Sequence, residues 1–130
     1  MNRFLFLFIL SVFVLAKEPT WTMNKDIYLK KDELYEGSIY QNQLQKPLSL
    51  RWTLYKNHGL VVYLNYDKFP YQFILYQDYQ RDTFKLELFK GDSHLGNAYL
   101  FISFKDYNQK TNQALLWLGI SGDAQFLQKN

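Results

Sequence analysis

Leu48, Leu50, Trp52 and Leu54 alternate with Ser49, Arg51, Thr53 and Tyr55, and this period of two restricts the fold of the chain more than any other feature. Alternate residues of an extended strand share one face, whereas a helix would repeat its apolar positions every 3.6 residues. Lys56-Asn57-His58-Gly59 interrupts the pattern before Leu60 to Tyr66 resumes it. A two-residue His58-Gly59 turn would pair Leu54 with Tyr63 and Thr53 with Leu64, mixing the two faces. A three-residue Asn57-His58-Gly59 loop, with Gly59 in the left-handed conformation, pairs Leu54 with Val62, Trp52 with Leu64 and Leu50 with Tyr66. That register keeps the apolar set together and is the expected one.

The same pattern continues through the chain as a meander. Asp67-Lys68-Phe69-Pro70 is an even-length connection that sets Phe73 and Leu75 beside Leu64 and Val62, with Pro70 at a strand start because it cannot donate to a ladder. Gln77 to Asp82 connects to a strand in which Phe84, Leu86 and Leu88 alternate with Lys85, Glu87 and Phe89. Lys90 to Asn97 is a loop, Ala98 to Lys105 a strand, Asp106 to Gln113 a polar connection. Ala114 to Ile120 is apolar enough for a strand buried on both faces, and its Gly119 marks a bulge.

Trp21 to Tyr40 supports two patterns. Asn24 could cap a helix carrying Met23, Ile27 and Leu34 on one side and ending at Gly37, but Ile27 and Leu29 alternate, and Ser38-Ile39-Tyr40 continues past the glycine. Two short strands are the favoured assignment. Six to eight strands joined mostly by short turns predict an all-β fold, an antiparallel meander forming a small sandwich or barrel.

The N-terminus has a different character. After Arg3, Phe4 to Leu15 is apolar except for Ser11, a run of 12 residues ended by Lys17, Glu18 and Pro19. A membrane-spanning helix needs about 20 apolar residues, so the run matches a signal peptide, with cleavage after Val14-Leu15-Ala16. The expected organisation is a signal peptide over 1–16 and a single β domain over 17–130, periplasmic or secreted, with no stable membrane anchor after cleavage. Removing Arg3 leaves 14 basic against 12 acidic residues, a net charge of +2. Lys30-Lys31 is the only adjacent basic pair, so there is no stripe to neutralise successive phosphates, and nucleic acid is not an expected partner.

The residue types argue against catalysis. With no Cys among 130 residues, thiol chemistry, thiolate metal sites, disulfides and an N-terminal lipid-bearing cysteine are excluded together. Gly91-Asp92-Ser93-His94-Leu95 resembles the Gly-Asp-Ser-Leu block of a family of serine esterases. That block sits at a strand-to-helix turn with its His far downstream; here strands flank it, and no His follows His94. A polar turn is the expectation. His58 and His94 have no metal-ligand spacing, and the local carboxylate pairs Asp78/Asp82 and Glu33/Glu36 are expected to be solvated loop charges. No enzymatic activity, metal or cofactor is expected.

One face of the strands stands out. The register sets Arg51, Thr53, Tyr55, Val61, Tyr63 and Asn65 opposite the core, and later strands add Ile74, Tyr76, Phe89, Tyr99 and Phe101. Aromatic rings beside hydrogen-bonding groups suit a contact surface. The expected function is a non-enzymatic binding or assembly module for a protein or glycan partner in the cell envelope. It would act through an unpaired sheet edge or an aromatic face on which Arg51, Tyr55, Tyr63, Tyr99 and Phe101 bind. The alternative is a small barrel carrying an apolar ligand.

Overall fold

The computed structural model describes residues 21–78, 80–91 and 97–129. The signal-peptide assignment and the Asp92-Ser93-His94-Leu95 segment lie outside these residues. The described chain is built of nine strands: β1 (Trp21–Lys30), β2 (Tyr35–Gln41), β3 (Leu44–Lys56), β4 (Gly59–Tyr66), β5 (Phe69–Tyr76), β6 (Thr83–Leu88), β7 (Ala98–Asn108), β8 (Gln113–Ser121) and β9 (Gln125–Gln128). They form two antiparallel sheets, one ordered β1-β8-β7-β6 and the other β5-β4-β3-β2-β9. The arrangement is a sandwich of two separate sheets, not a closed barrel. Residues 21–30 and 35–41 are strands as favoured, yet they lie in different sheets.

Each sheet follows from a meander of hairpins. Asn57 and His58 both have positive φ, as do Asp67 and Lys68, so β3–β4 and β4–β5 are joined by two-residue turns whose twist matches that of the strands. The expected three-residue loop at Asn57-His58-Gly59 is therefore wrong. Gly59 is the first residue of β4, paired with Lys56, and positive φ falls on Asn57 and His58 instead. Gly59 is still constrained, by space: a Cβ there would lie 2.9 Å from Cε1 of Tyr76 and 3.1 Å from Cγ2 of Ile74.

The register moves with the turn. Leu50 faces Leu64, Trp52 faces Val62 and Leu48 faces Tyr66, two residues from the expected pairing, while Phe73 faces Val62 and Leu75 faces Leu60. A shift of two preserves which face each residue occupies, so Leu48, Leu50, Trp52, Leu60, Val62, Leu64 and Tyr66 are all buried. Leu54 is the exception. A bulge between Trp52 and Leu54 reverses the phase, leaving Leu54 47% exposed and turning Tyr55 inward.

Two further bulges act in the same way. One between Phe104 and Asp106 turns Tyr107 inward, where its ring stacks on Tyr55 at 4.0 Å across the sandwich. The other lies between Trp21 and Met23, held by the Thr22 hydroxyl donating to the carbonyl oxygens of Ile120 (3.2 Å) and Ala124 (2.7 Å). It falls on the partner strand of β8 and not at Gly119, where a bulge was expected. Met23 keeps the inward phase of Ile27 and Leu29, and Trp21 is turned to the outer face.

The inner residues form one core. Ala114, Leu116, Leu118 and Ile120 of β8 are buried inward, but its outer residues Leu115 and Trp117 are half-buried, so β8 is less enclosed than its composition suggests. Phe89, expected on the outer face, is 1% exposed; it has φ 53°, and its N–H donates to the Tyr66 hydroxyl at 2.9 Å. Pro70 pairs with Asn65 at the start of β5, an edge strand where its missing donor is tolerated.

Candidate binding surface on the outer sheet faces

The sequence-derived candidates do not share one face. Arg51 and Tyr63 face each other on the outer side of the five-stranded sheet, with the Arg51 guanidinium 5.6 Å from the Tyr63 ring centre. Tyr99 and Phe101 lie on the outer side of the four-stranded sheet, at the opposite surface of the sandwich. Tyr55 is on neither. The bulge beside Leu54 places it between the sheets, against Phe104 and Tyr107. The single aromatic face inferred from alternation is thus two surfaces and a core ring.

The face of the four-stranded sheet carries the richer cluster. Its outer positions are fixed by register: Asn24 opposite Gly119 opposite Phe101, Asp26 opposite Trp117 opposite Ser103, and Lys85 and Glu87 opposite Phe101 and Tyr99. Gly119 is the low point of this array. The six-membered ring of Trp117 lies over it so closely that a Cβ at residue 119 would clash with Cη2, Cζ2 and Cζ3 of that ring. Trp21 stands at 86° to Trp117 and at 81° to Phe101, with ring centres 5.1 Å apart in both cases. Phe101 continues to Tyr99 at 6.4 Å.

Polar groups set the orientation of these rings. The Trp117 indole N–H donates to the Asn24 Oδ1, tying the ring across to β1. The Lys85 ammonium lies 4.3 Å from the Tyr99 ring centre and 5.6 Å from that of Phe101, a cation placed over the electron-rich faces. The hydroxyls of Thr83 and Ser103 meet at 2.7 Å beside them. Trp21, Tyr99, Phe101 and Trp117 are each partly exposed, and Asn24, Asp26 and Lys85 are exposed.

Trp21, Trp117, Lys85 and Asn24 were not among the candidates. The continuous apolar run of β8 hides Trp117, whose phase, opposite to that of Leu116 and Leu118, is the available signal. Trp21 had none, because regular alternation with Met23 would turn it inward.

The carboxylates Asp78, Asp82, Glu33 and Glu36, expected to be solvated loop charges, are exposed or partly exposed and each has a polar partner, but Glu36 lies on β2 and not in a loop. Asp78 accepts hydrogen bonds from Arg81, whose guanidinium also lies 4.4 Å from the Tyr76 ring centre. The side-chain bond from Arg81, with its charge and backbone N–H, holds the Asp78 carboxyl below its ordinary range. Asp82 accepts from Thr83 at 2.9 Å, Glu33 from the Lys30 N–H at 2.9 Å, and Glu36 pairs with Lys129 at 3.5 Å. His58 is exposed in its turn. Among the described residues no group of three or more His, Asp and Glu side chains is placed to hold a metal ion.

The outer face of the five-stranded sheet is the second surface. Beside Arg51 and Tyr63 it exposes Leu54 and Ile74 at 47% and 49%, and further along it carries an open groove of about 520 Å³ lined by Ser38, Pro47, Ser49, Asn65 and Leu127. Aromatic packing is sparse there. Compared with known proteins, the chain matches no family model, no curated protein and no solved structure.

Proposed function

We propose that this protein is a non-enzymatic binding module, exported from the cytoplasm, that contacts an envelope partner through the outer face of its four-stranded sheet. The observation that carries this reading is the cluster of Trp21 with Trp117 and Phe101, Trp117 lying over Gly119, with the Lys85 ammonium against the neighbouring Tyr99. Three large rings on an outer face are not needed to close the core, which is filled by Trp52, Phe104, Ile39, Leu64 and Leu116 at no more than 1% exposure. Aromatic side chains gathered around a shallow centre provide large contact area at low entropic cost, as interface anchors do. Export is supported by the charged and apolar pattern of Met1 to Ala16.

The packed interior favours a surface over a carried ligand. The test is capture from envelope extract by the immobilised protein, with bound material analysed for both protein and sugar. Trp21→Ala and Phe101→Ala should each weaken capture about tenfold or more while the melting transition stays nearly unchanged. Capture that falls only in proportion to the unfolded fraction would reduce the cluster to a packing feature.

A further inference from the structure

We infer that the partner held by this face is a neutral polysaccharide, one sugar ring of which sits in the corner between Trp117 and Trp21. The inference rests on the binding role proposed above and names the chemistry of its partner. Trp117 lies along the sheet over Gly119, and Trp21 stands nearly perpendicular to it, so the two form a floor and a wall. A pyranose ring is similarly two-sided, with C–H groups on its faces and hydroxyls around its rim. The C–H face suits the negative face of an indole, and the rim must meet hydrogen-bonding groups.

Those groups are present around the rings. Asn24 and Asp26 lie on β1 beside Trp117, and Lys85 and Glu87 lie on β6 beside Phe101 and Tyr99. Together they offer acceptors and donors on both sides of the aromatic strip. Charge then selects among partners. Lys30 and Lys85 are matched one for one by Asp26 and Glu87 at this face, so a polyphosphate or an anionic lipid surface would meet no excess of positive charge. A purely apolar partner would cover these polar groups without pairing them, and each group so buried would oppose binding. A polyhydroxylated, uncharged chain pairs them and covers the rings. The Asn24 bond to the Trp117 indole fixes the floor before binding, which lowers the ordering cost.

The experiment uses the purified exported protein and its own tryptophans. Trp52 is 1% exposed, so a ligand-induced change in emission reports on Trp21 and Trp117. The probes are cellohexaose, laminarihexaose, maltohexaose and the hexamer of N-acetylglucosamine, with heparin and phosphatidylglycerol vesicles as charged comparisons. At least one neutral hexasaccharide should change the emission saturably. Trp21→Ala should weaken that binding about tenfold or more, and Arg51→Ala on the opposite surface should leave it within about twofold. Trp117→Phe, which keeps a flat ring, should retain part of the affinity if Trp117→Ala does not fold. A response to heparin or vesicles alone, no response to any hexasaccharide, or binding indifferent to Trp21→Ala overturns the inference. Loss of the sugar response with Trp21-dependent capture of an envelope protein would leave the binding face standing and remove only its sugar chemistry. Absence of both would remove the two together.

Discussion

The indole N–H of Trp52 donates to the backbone carbonyl oxygen of Leu29 at 2.8 Å, joining the middle strand of the five-stranded sheet to the edge strand of the other. The backbone carbonyl of Trp52 in turn accepts from the N–H of Asp32 at 2.9 Å, in the loop that carries the chain from β1 back to β2. One residue therefore ties down the edge strand and the crossover after it. Trp52→Phe should destabilise the domain by about 1–3 kcal/mol, because a buried carbonyl loses its donor. Trp52→Ala should cost about 3–5 kcal/mol by also opening a cavity. Urea melts of the two variants separate the hydrogen bond from the packing, and equal losses would show that the bond to Leu29 contributes nothing.

Leu54 and Tyr55 test the bulge in β3. Leu54→Ala should cost less than about 1 kcal/mol, as expected for a residue half open to water. Tyr55→Ala, which removes a ring stacked on Tyr107, should cost about 3 kcal/mol or more. Regular alternation predicts the reverse order, so the ranking in denaturant melts decides between the bulged and unbulged strand.

The bulge in β1 is tested at Thr22. Thr22→Val keeps the shape of the side chain but removes the hydroxyl that bonds the carbonyls of Ile120 and Ala124. Stability should fall by about 1 kcal/mol, while partner capture falls further because Trp21 is no longer held outward. Capture unaffected by the change would separate the bulge from the binding face.

Gly119→Ala probes the same face from below. The added methyl must displace the Trp117 ring, so capture should fall severalfold, whereas the cost in stability should stay at about 1 kcal/mol because a ring on the outer face, half open to solvent, can swing aside. A loss of several kcal/mol in the melt would show that Trp117 cannot move and belongs to the folded framework.

Asp78 gives a prediction with pH. Arg81 lowers its carboxyl in the folded protein, so this pair stabilises the fold above the ordinary aspartate range and loses that contribution as pH falls through the lowered value. Arg81→Ala should raise the Asp78 carboxyl back towards the ordinary aspartate range, read by carboxyl carbon NMR across an acid titration. An unchanged titration would mean the pair does not persist in solution.

The all-β fold was legible in the sequence because alternation at period two needs no knowledge of partners: Leu48, Leu50 and Trp52 must share one face of their strand, and Val62 and Leu64 one face of theirs, wherever each strand lies. The strand limits around Gln77–Asp82, and the position of Pro70 at the start of a strand, follow equally from local chemistry. Register did not. A shift of two residues leaves the same apolar set inside, so alternation could not distinguish the Asn57-His58 turn from a longer loop. The bulges after Trp52 and Phe104, and the one at Thr22, were invisible for a related reason. Each is stabilised by contacts made across the sandwich or between neighbouring strands, such as Tyr55 on Tyr107 or Thr22 with Ile120, and no local pattern records them. Those bulges decide which way Trp21, Tyr55 and Tyr107 point. Sheet membership decides the rest: Arg51 and Tyr63 share a strand phase with each other, Tyr99 and Phe101 with each other, but the crossover between β5 and β6 puts the two pairs on opposite surfaces. The sequence by itself determined which residues alternate; the tertiary structure decided which alternating faces meet, because that depends on pairing between segments far apart in the chain.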